Sequence, residues 1–189
     1  MRPANQSAVR MGEAVANVAR RVNETVELGK DTLDLSECKL ISFPEGIYKL
    51  LRTVTENIHV ISLANNEMKA INSKFITTFS QLRELNLEGN KLTQLPEATG
   101  SMENLTSINL ARNKFSVFPE ELTDIKTLKK INLEGNEITE LPVEKLSAMP
   151  ALQSLNMKSN PLDKEVLSGF SPSVKFELLT TVVESDNAI

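Results

Sequence analysis

The chain has 189 residues, enough for one domain of ordinary size. Its formal net charge of −4, with 21 Lys and Arg against 25 Asp and Glu, argues against a nucleic-acid binder or a basic membrane-surface protein. Trp is absent and Tyr occurs once, so the expected core is aliphatic; the single Cys38 cannot form an intramolecular disulfide, and one His with one Cys nearly excludes a zinc site.

Residues 1–11 are polar, contain Pro3, and read as a flexible N-terminus. Residues 12–29 then carry Val15, Val18, Val22 and Val26 at the spacing of one helical face, and Gly29 follows as a stop. An amphipathic helix here would cap the open end of whatever follows. A partner-binding or membrane-surface helix is the alternative, against which the small Val/Ala stripe lacks Trp or Phe anchors. Residues 181–189 are polar and acidic and read as a flexible tail.

Residues 30–162 repeat. Asn66, Asn90, Asn113, Asn136 and Asn160 stand 24, 23, 23 and 24 residues apart, each closing one phrase. Leu82, Leu85, Leu87, Asn90 and Leu92 spell L-x-x-L-x-L-x-x-N-x-L, and Leu105, Ile108, Leu110, Asn113 and Phe115 repeat it. A degenerate first copy has Leu33, Leu35, Cys38 and Leu40, and its step to Asn66 is longer, with an insertion near 49–54. Such a period marks a stacked-repeat architecture. We therefore expect an α/β solenoid of about six repeats, with a parallel β-sheet on the concave face. Loops and short helical or 3₁₀ segments should return along the convex face, where Phe43-Pro44, Leu95-Pro96, Phe118-Pro119 and Leu141-Pro142 mark the return. Apolar residues from Val166 to Leu179 supply a C-terminal cap over 163–180.

The asparagines belong in tight turns whose backbone groups leave the sheet and face the core. An amide side chain both donates and accepts, so it can satisfy those groups repeat after repeat; leucine could not. Cys38 takes this place in the first repeat, as a buried structural thiol rather than a redox sensor, which would need exposure and a lowered pKa.

No catalytic constellation converges. Cys38 and His59 are the one pair that could be an enzyme's dyad, and the repeat register puts them at different heights of neighbouring coils. Phosphate-binding glycine loops are absent from the sequence, and Gly89 and Gly135 answer to the turn. What remains is surface. Asp34, Ser62, Asn86, Asn109, Asn132 and Asn156 occupy the central outward strand position, as simple sheet-surface packing or as a hydrogen-bonding platform for a partner. His59, Arg83, Glu84, Arg112, Lys130 and Lys158 flank them, and positive charge gathers on repeats four to six. Arg83 and Arg112 are the best single candidates, because binding hot spots are enriched in arginine. We expect a non-enzymatic, monomeric module without metal or cofactor, binding a protein partner and neither nucleic acid nor membrane.

L-x-x-L-x-L-x-x-N-x-L-x-x-L/F-P at this step resembles the typical class of leucine-rich repeats, over about residues 30–162. It is similar to the small members that consist of little else, kin to the Ras-suppressor and Shoc-type scaffolds. The resemblance implies a protein-interaction module or adaptor, cytoplasmic and non-enzymatic. By analogy of fold alone, it also implies a regulatory subunit for a small GTPase or phosphatase. The chain departs from the pattern at Cys38 and lacks the Pro after Ile71.

Overall fold

A computed structural model describes residues 3–170 and 173–181, with side chains from residue 12 onward. Each short strand alternates an inward aliphatic residue with outward neighbours, the period-two pattern that a half-buried strand requires. The strands are β1 (Thr32–Asp34), β2 (Val60–Ser62), β3 (Glu84–Asn86), β4 (Ser107–Asn109), β5 (Lys130–Asn132), β6 (Ser154–Asn156) and β7 (Glu177–Leu179). They pair in chain order into one parallel sheet of seven strands. The register stacks Leu33, Ile61, Leu85, Ile108, Ile131, Leu155 and Leu178 in one row. All but Leu178 are essentially fully buried.

After β2 to β6 the chain turns inward to a ladder asparagine, and after β1 to Cys38, and then returns. The returns hold α2 (Glu45–Leu51), α3 (Ser73–Thr78), α4 (Val143–Ser147) and α5 (Lys164–Ser168). Between these lie 3₁₀ turns at Glu97–Ser101 and Glu120–Asp124. Leu122 and Ile125 pack inward from the second of these. The long first return accommodates its extra residues as α2 plus a 3₁₀ turn at Thr55–Asn57. Where the second return lacks the proline, Asn72 caps α3 by accepting from the Phe75 N–H.

Four expectations are corrected. First, helix α1 runs Pro3–Glu27, so backbone expected to be flexible from residue 3 is helical. Proline suits a first helical position because its missing N–H has no partner there anyway. Second, the segment expected only as a C-terminal cap adds β7, making a seventh strand where about six repeats were expected. Its Phe176 is buried and meets Phe170 edge-on at 5.8 Å. Third, Val15 is 70% exposed; Val18 and Val22 are buried, and Thr25 joins them on the packed face. Fourth, the core is not purely aliphatic. Phe43, Tyr48, Phe75 and Phe79 form an aromatic cluster behind the first two coils, with ring centroids 4.9–6.2 Å apart. These bulky rings fill the extra space behind the lengthened first return. The tail expected at 181–189 lies outside the described residues apart from Thr181.

The N-terminal end is closed by polar as well as apolar contacts. As the first strand, β1 turns alternate carbonyls away from β2. Thr25 Oγ1 donates to the Thr32 carbonyl, and one Arg21 nitrogen donates to those of Asp34 and Ser36 at 3.3 and 2.8 Å. Helix α1 thereby covers an edge that would otherwise present unpaired groups. The turn after the helix closes at Gly29, whose φ of +58° suits glycine, with Lys30 N–H bonded to the Thr25 carbonyl and Gly29 N–H to that of Val26.

Candidate functional site

The ladder sets the frame. Asn113 Nδ2 donates to the carbonyls of Leu87 and Leu110 at 2.9 and 3.1 Å, while its Oδ1 accepts from Leu92 N–H at 3.0 Å. Asn90, Asn136 and Asn160 repeat the scheme one coil back or forward. Each therefore stitches its own turn to the preceding coil. Consecutive asparagines also share carbonyls: Leu87 accepts from Asn90 and Asn113, and Leu110 from Asn113 and Asn136. At the N-terminal end the scheme changes. Asn66 accepts from both Cys38 N–H and Leu40 N–H, and among the described residues it alone donates to the Leu35 carbonyl. Cys38 directs its thiol to the Ser36 carbonyl at 3.3 Å and adds no donor there.

Burial pushes the Cys38 thiol up from its ordinary pKa; Arg21 opposes this, and Asp34 and Glu37 add to it. A raised pKa keeps the thiol protonated and poorly nucleophilic. His59 precedes β2 and lies 3.9 Å from Asp31, whereas Cys38 follows β1. The two sit at opposite ends of neighbouring strands, and no dyad forms.

Just before each ladder position the backbone enters the left-handed region: Glu37, Asn65, Gly89, Arg112, Gly135 and Ser159 have φ between 53° and 70°. Only the two glycines adopt it without steric cost. This kink ends the strand and turns the next residue into the core.

The sheet's open face has rows fixed by register. One row is Asp34, Ser62, Asn86, Asn109, Asn132, Asn156 and Leu179. Most of its polar members bond alike. Asn86, Asn109, Asn132 and Asn156 each accept, through Oδ1, the N–H two residues on, at 3.0 Å. Asp34 does the same for Ser36 at 2.9 Å. These are turns held by a side-chain carbonyl, so the central stripe is partly structural. Burial raises the Asp34 pKa, but the Ser36 donors and Arg21 outweigh it and hold the carboxyl below its usual value.

Backbone bonds place His59, Arg83, Thr106 and Lys129 in register at the strands' entry, with Glu84 and Lys130 one position further. Arg83, Glu84, Lys130 and Lys158 are exposed, and His59 is half-buried. Arg112 instead reaches back one coil to Glu88 at 3.0 Å. It is therefore partly neutralised, which the sequence did not show because Glu88 lies 24 residues upstream. Among the described residues Arg83, Lys129, Lys130 and Lys158 form no ion pair.

One feature escaped sequence reasoning altogether. A groove of about 760 Å³ opens between α1 and α2, lined by Val15, Val18, Leu40, Ile47 and Leu50, with Lys39 and Lys49 beside them. Its signal was the exposed Val15, which helical spacing alone placed with the buried valines.

A leucine rich repeat pattern matches residues 56–115. Leucine-rich repeat-containing protein 20 of Mus musculus is 65% identical over 170 residues, covering 90% of this chain and 92% of that one. The Homo sapiens protein of the same name is 64% identical over the same shares. This chain belongs to the leucine-rich repeat family. Among solved structures, a Leptospira interrogans leucine-rich repeat protein is similar, with TM-score 0.63 and 29% identity over 74% of this chain and 34% of that one. The leucine-rich repeat domain of the type III effector XopL has TM-score 0.69 at 22% identity, over 89% of this chain and 57% of that one, a likeness of fold. Leucine-rich repeat proteins in general bind protein partners and are in general not enzymes. Among the described residues no helix is long and apolar enough to cross a membrane.

Proposed function

We propose that this protein is a non-enzymatic interaction module that holds a protein partner on the open face of its sheet. One observation carries the reading: the register aligns polar and cationic side chains from successive coils into rows, while Arg83 and Lys130 remain exposed and without an ion pair among the described residues. The face spans six strand spacings, about 29 Å at ~4.8 Å each, which suits a segment, helix or loop of a partner rather than a whole globular domain. Interfaces need be no more apolar than other surface, so the scarcity of aromatic residues here is no obstacle.

The test is charge reversal at Arg83 and Lys130 together, with affinity capture from cells beside the wild type. Partner recovery should collapse while the thermal midpoint stays nearly constant, since both side chains stand in solvent. Equal recovery of the same partners by both proteins would move the binding surface elsewhere. Arg112 is left out of the substitution because its loss would also release Glu88.

A further inference from the structure

The central row of the open face is polarised. A backbone N–H is only a donor, so the amide atom facing it in each turn must be the oxygen. Asn86, Asn109, Asn132 and Asn156 therefore aim their NH₂ groups the other way. Two of these donors are used within the fold. Asn109 reaches Glu88 at 3.5 Å, and Asn156 reaches Glu134 at 3.1 Å. In each case the acceptor stands on the preceding coil, at the outward position just past the central row. The equivalent residues before Asn86 and Asn132 are Ala64 and Ala111, whose side chains carry no acceptor and whose carbonyls already accept from the turns. Among the described residues, the NH₂ groups of Asn86 and Asn132 have no hydrogen-bond partner, although both side chains are half-buried.

We infer that Asn86 and Asn132 form a pair of carboxylate-binding positions for an acidic, extended segment of a protein partner lying across the strands. The inference rests on the proposed use of the open face and specifies its ligand chemistry. The two asparagines are two strands apart, about 9.6 Å. A polyproline-type segment rises about 3.1 Å per residue with three residues per turn, so side chains three apart lie on one side at about 9.3 Å. Charge agrees with this occupant. Arg83 and Lys130 flank the pair, each without an ion pair among the described residues. Of the acids on this face, Glu88 is paired with Arg112 and Asp34 lies 3.9 Å from Arg21, while Glu134 is hydrogen-bonded by Asn156 but keeps its charge; Glu134, Glu84 and Glu177 therefore stand against Arg83, Lys129, Lys130 and Lys158, which form no ion pair among the described residues. A carboxylate arriving at Asn132 would take the place that Glu88 and Glu134 fill for Asn109 and Asn156.

The probe is a fluorescent peptide repeating Glu-Pro-Ala, with Gln-Pro-Ala as its neutral copy. Anisotropy with the full chain should show binding of the Glu peptide that weakens as salt screens the charges. The Gln peptide should bind about tenfold or more weakly, the scale of one charge-assisted hydrogen bond. Asn132→Asp keeps the turn, as Asp34 does in the same row, but replaces the donor with an acceptor. It should lower affinity by about tenfold or more at an unchanged melting temperature. Ala111→Glu supplies the missing internal carboxylate and should compete in the same way. The inference is overturned if the Glu peptide does not bind, if the Gln peptide binds as well, or if Asn132→Asp and Ala111→Glu both bind normally. In that last case, loss of binding in Lys130→Glu leaves the open-face reading standing, while normal binding in all three removes that reading as well.

Discussion

The ladder asparagines are chemically identical, yet the structure ranks them. In Asn113→Ala the Leu92 N–H loses its acceptor outright. The carbonyls of Leu87 and Leu110 each lose one of two donors, because Asn90 and Asn136 still reach them. One buried group left without a partner costs about 1–3 kcal/mol, and two weakened carbonyls add to that, so about 2–4 kcal/mol is expected. In Asn66→Ala, Asn90 still reaches the shared Leu63 carbonyl, but three other groups have no substitute. Cys38 N–H, Leu40 N–H and the Leu35 carbonyl all lose their side-chain partner, since Cys38 supplies no amide one coil earlier. Three such losses, one of them at the half-buried Leu40, give about 3–6 kcal/mol, at least ~1 kcal/mol more than at Asn113. Equilibrium urea unfolding followed by circular dichroism measures both. A reduced m-value for Asn66→Ala would indicate that the first coil detaches separately, as a stack of nearest-neighbour units allows. An Asn113→Ala loss equal to or larger than that of Asn66→Ala would refute the shared-carbonyl argument, as would losses below about 1 kcal/mol for both.

Gly89 has φ +70°, and a Cβ there would overlap the Asn65 carboxamide, so Gly89→Ala should cost about 1–2 kcal/mol from backbone strain alone; an unchanged thermal midpoint would contradict this. Tyr48 buries a hydroxyl that has no partner among the described residues, so Tyr48→Phe should be neutral or stabilising by up to about 1 kcal/mol. Burial first, and Glu45 second, push that phenol up to about 12. Its folded pKa thus lies above the unfolded value of about 10: the stabilising contribution is whole below pH ~10 and lost as the pH rises toward ~12. Wild type should lose stability in that window relative to Tyr48→Phe, and parallel pH curves for the two would rule this out. Arg21→Ala uncovers two carbonyls of the first coil and should cost about 1–2 kcal/mol. Amide exchange should quicken around β1 and not around β5; uniform acceleration would argue against a local cap.

Much of this was legible in the sequence because a solenoid writes its fold locally. The alternation around Leu85 and Leu87 specifies a half-buried strand, and the return of asparagine every 23 or 24 residues specifies stacking. Together they assign Leu110 inward and Asn109 outward without reference to any distant contact. Other features depended on residues one coil apart. The sequence offers Arg112 as an outward binding candidate, and the structure pairs it with Glu88. The sequence places Asn109 on the outward face, and the structure adds that its oxygen holds the Ala111 N–H. Val15 and Val18 share a spacing, but β1 and α2 leave one exposed and bury the other.

The repeated phrase by itself determined a parallel stack, its register, and which residues face the core, because those properties follow from a fixed period and a two-residue alternation. Only the tertiary structure decided which outward groups stay available. A side chain's partner here lies one coil away, twenty to thirty residues along the chain, where no local pattern links them. Ala64 and Ala111 are unremarkable letters in the sequence. Set beside Asn86 and Asn132, they leave two donors on the open face that their neighbours have already given to Glu88 and Glu134.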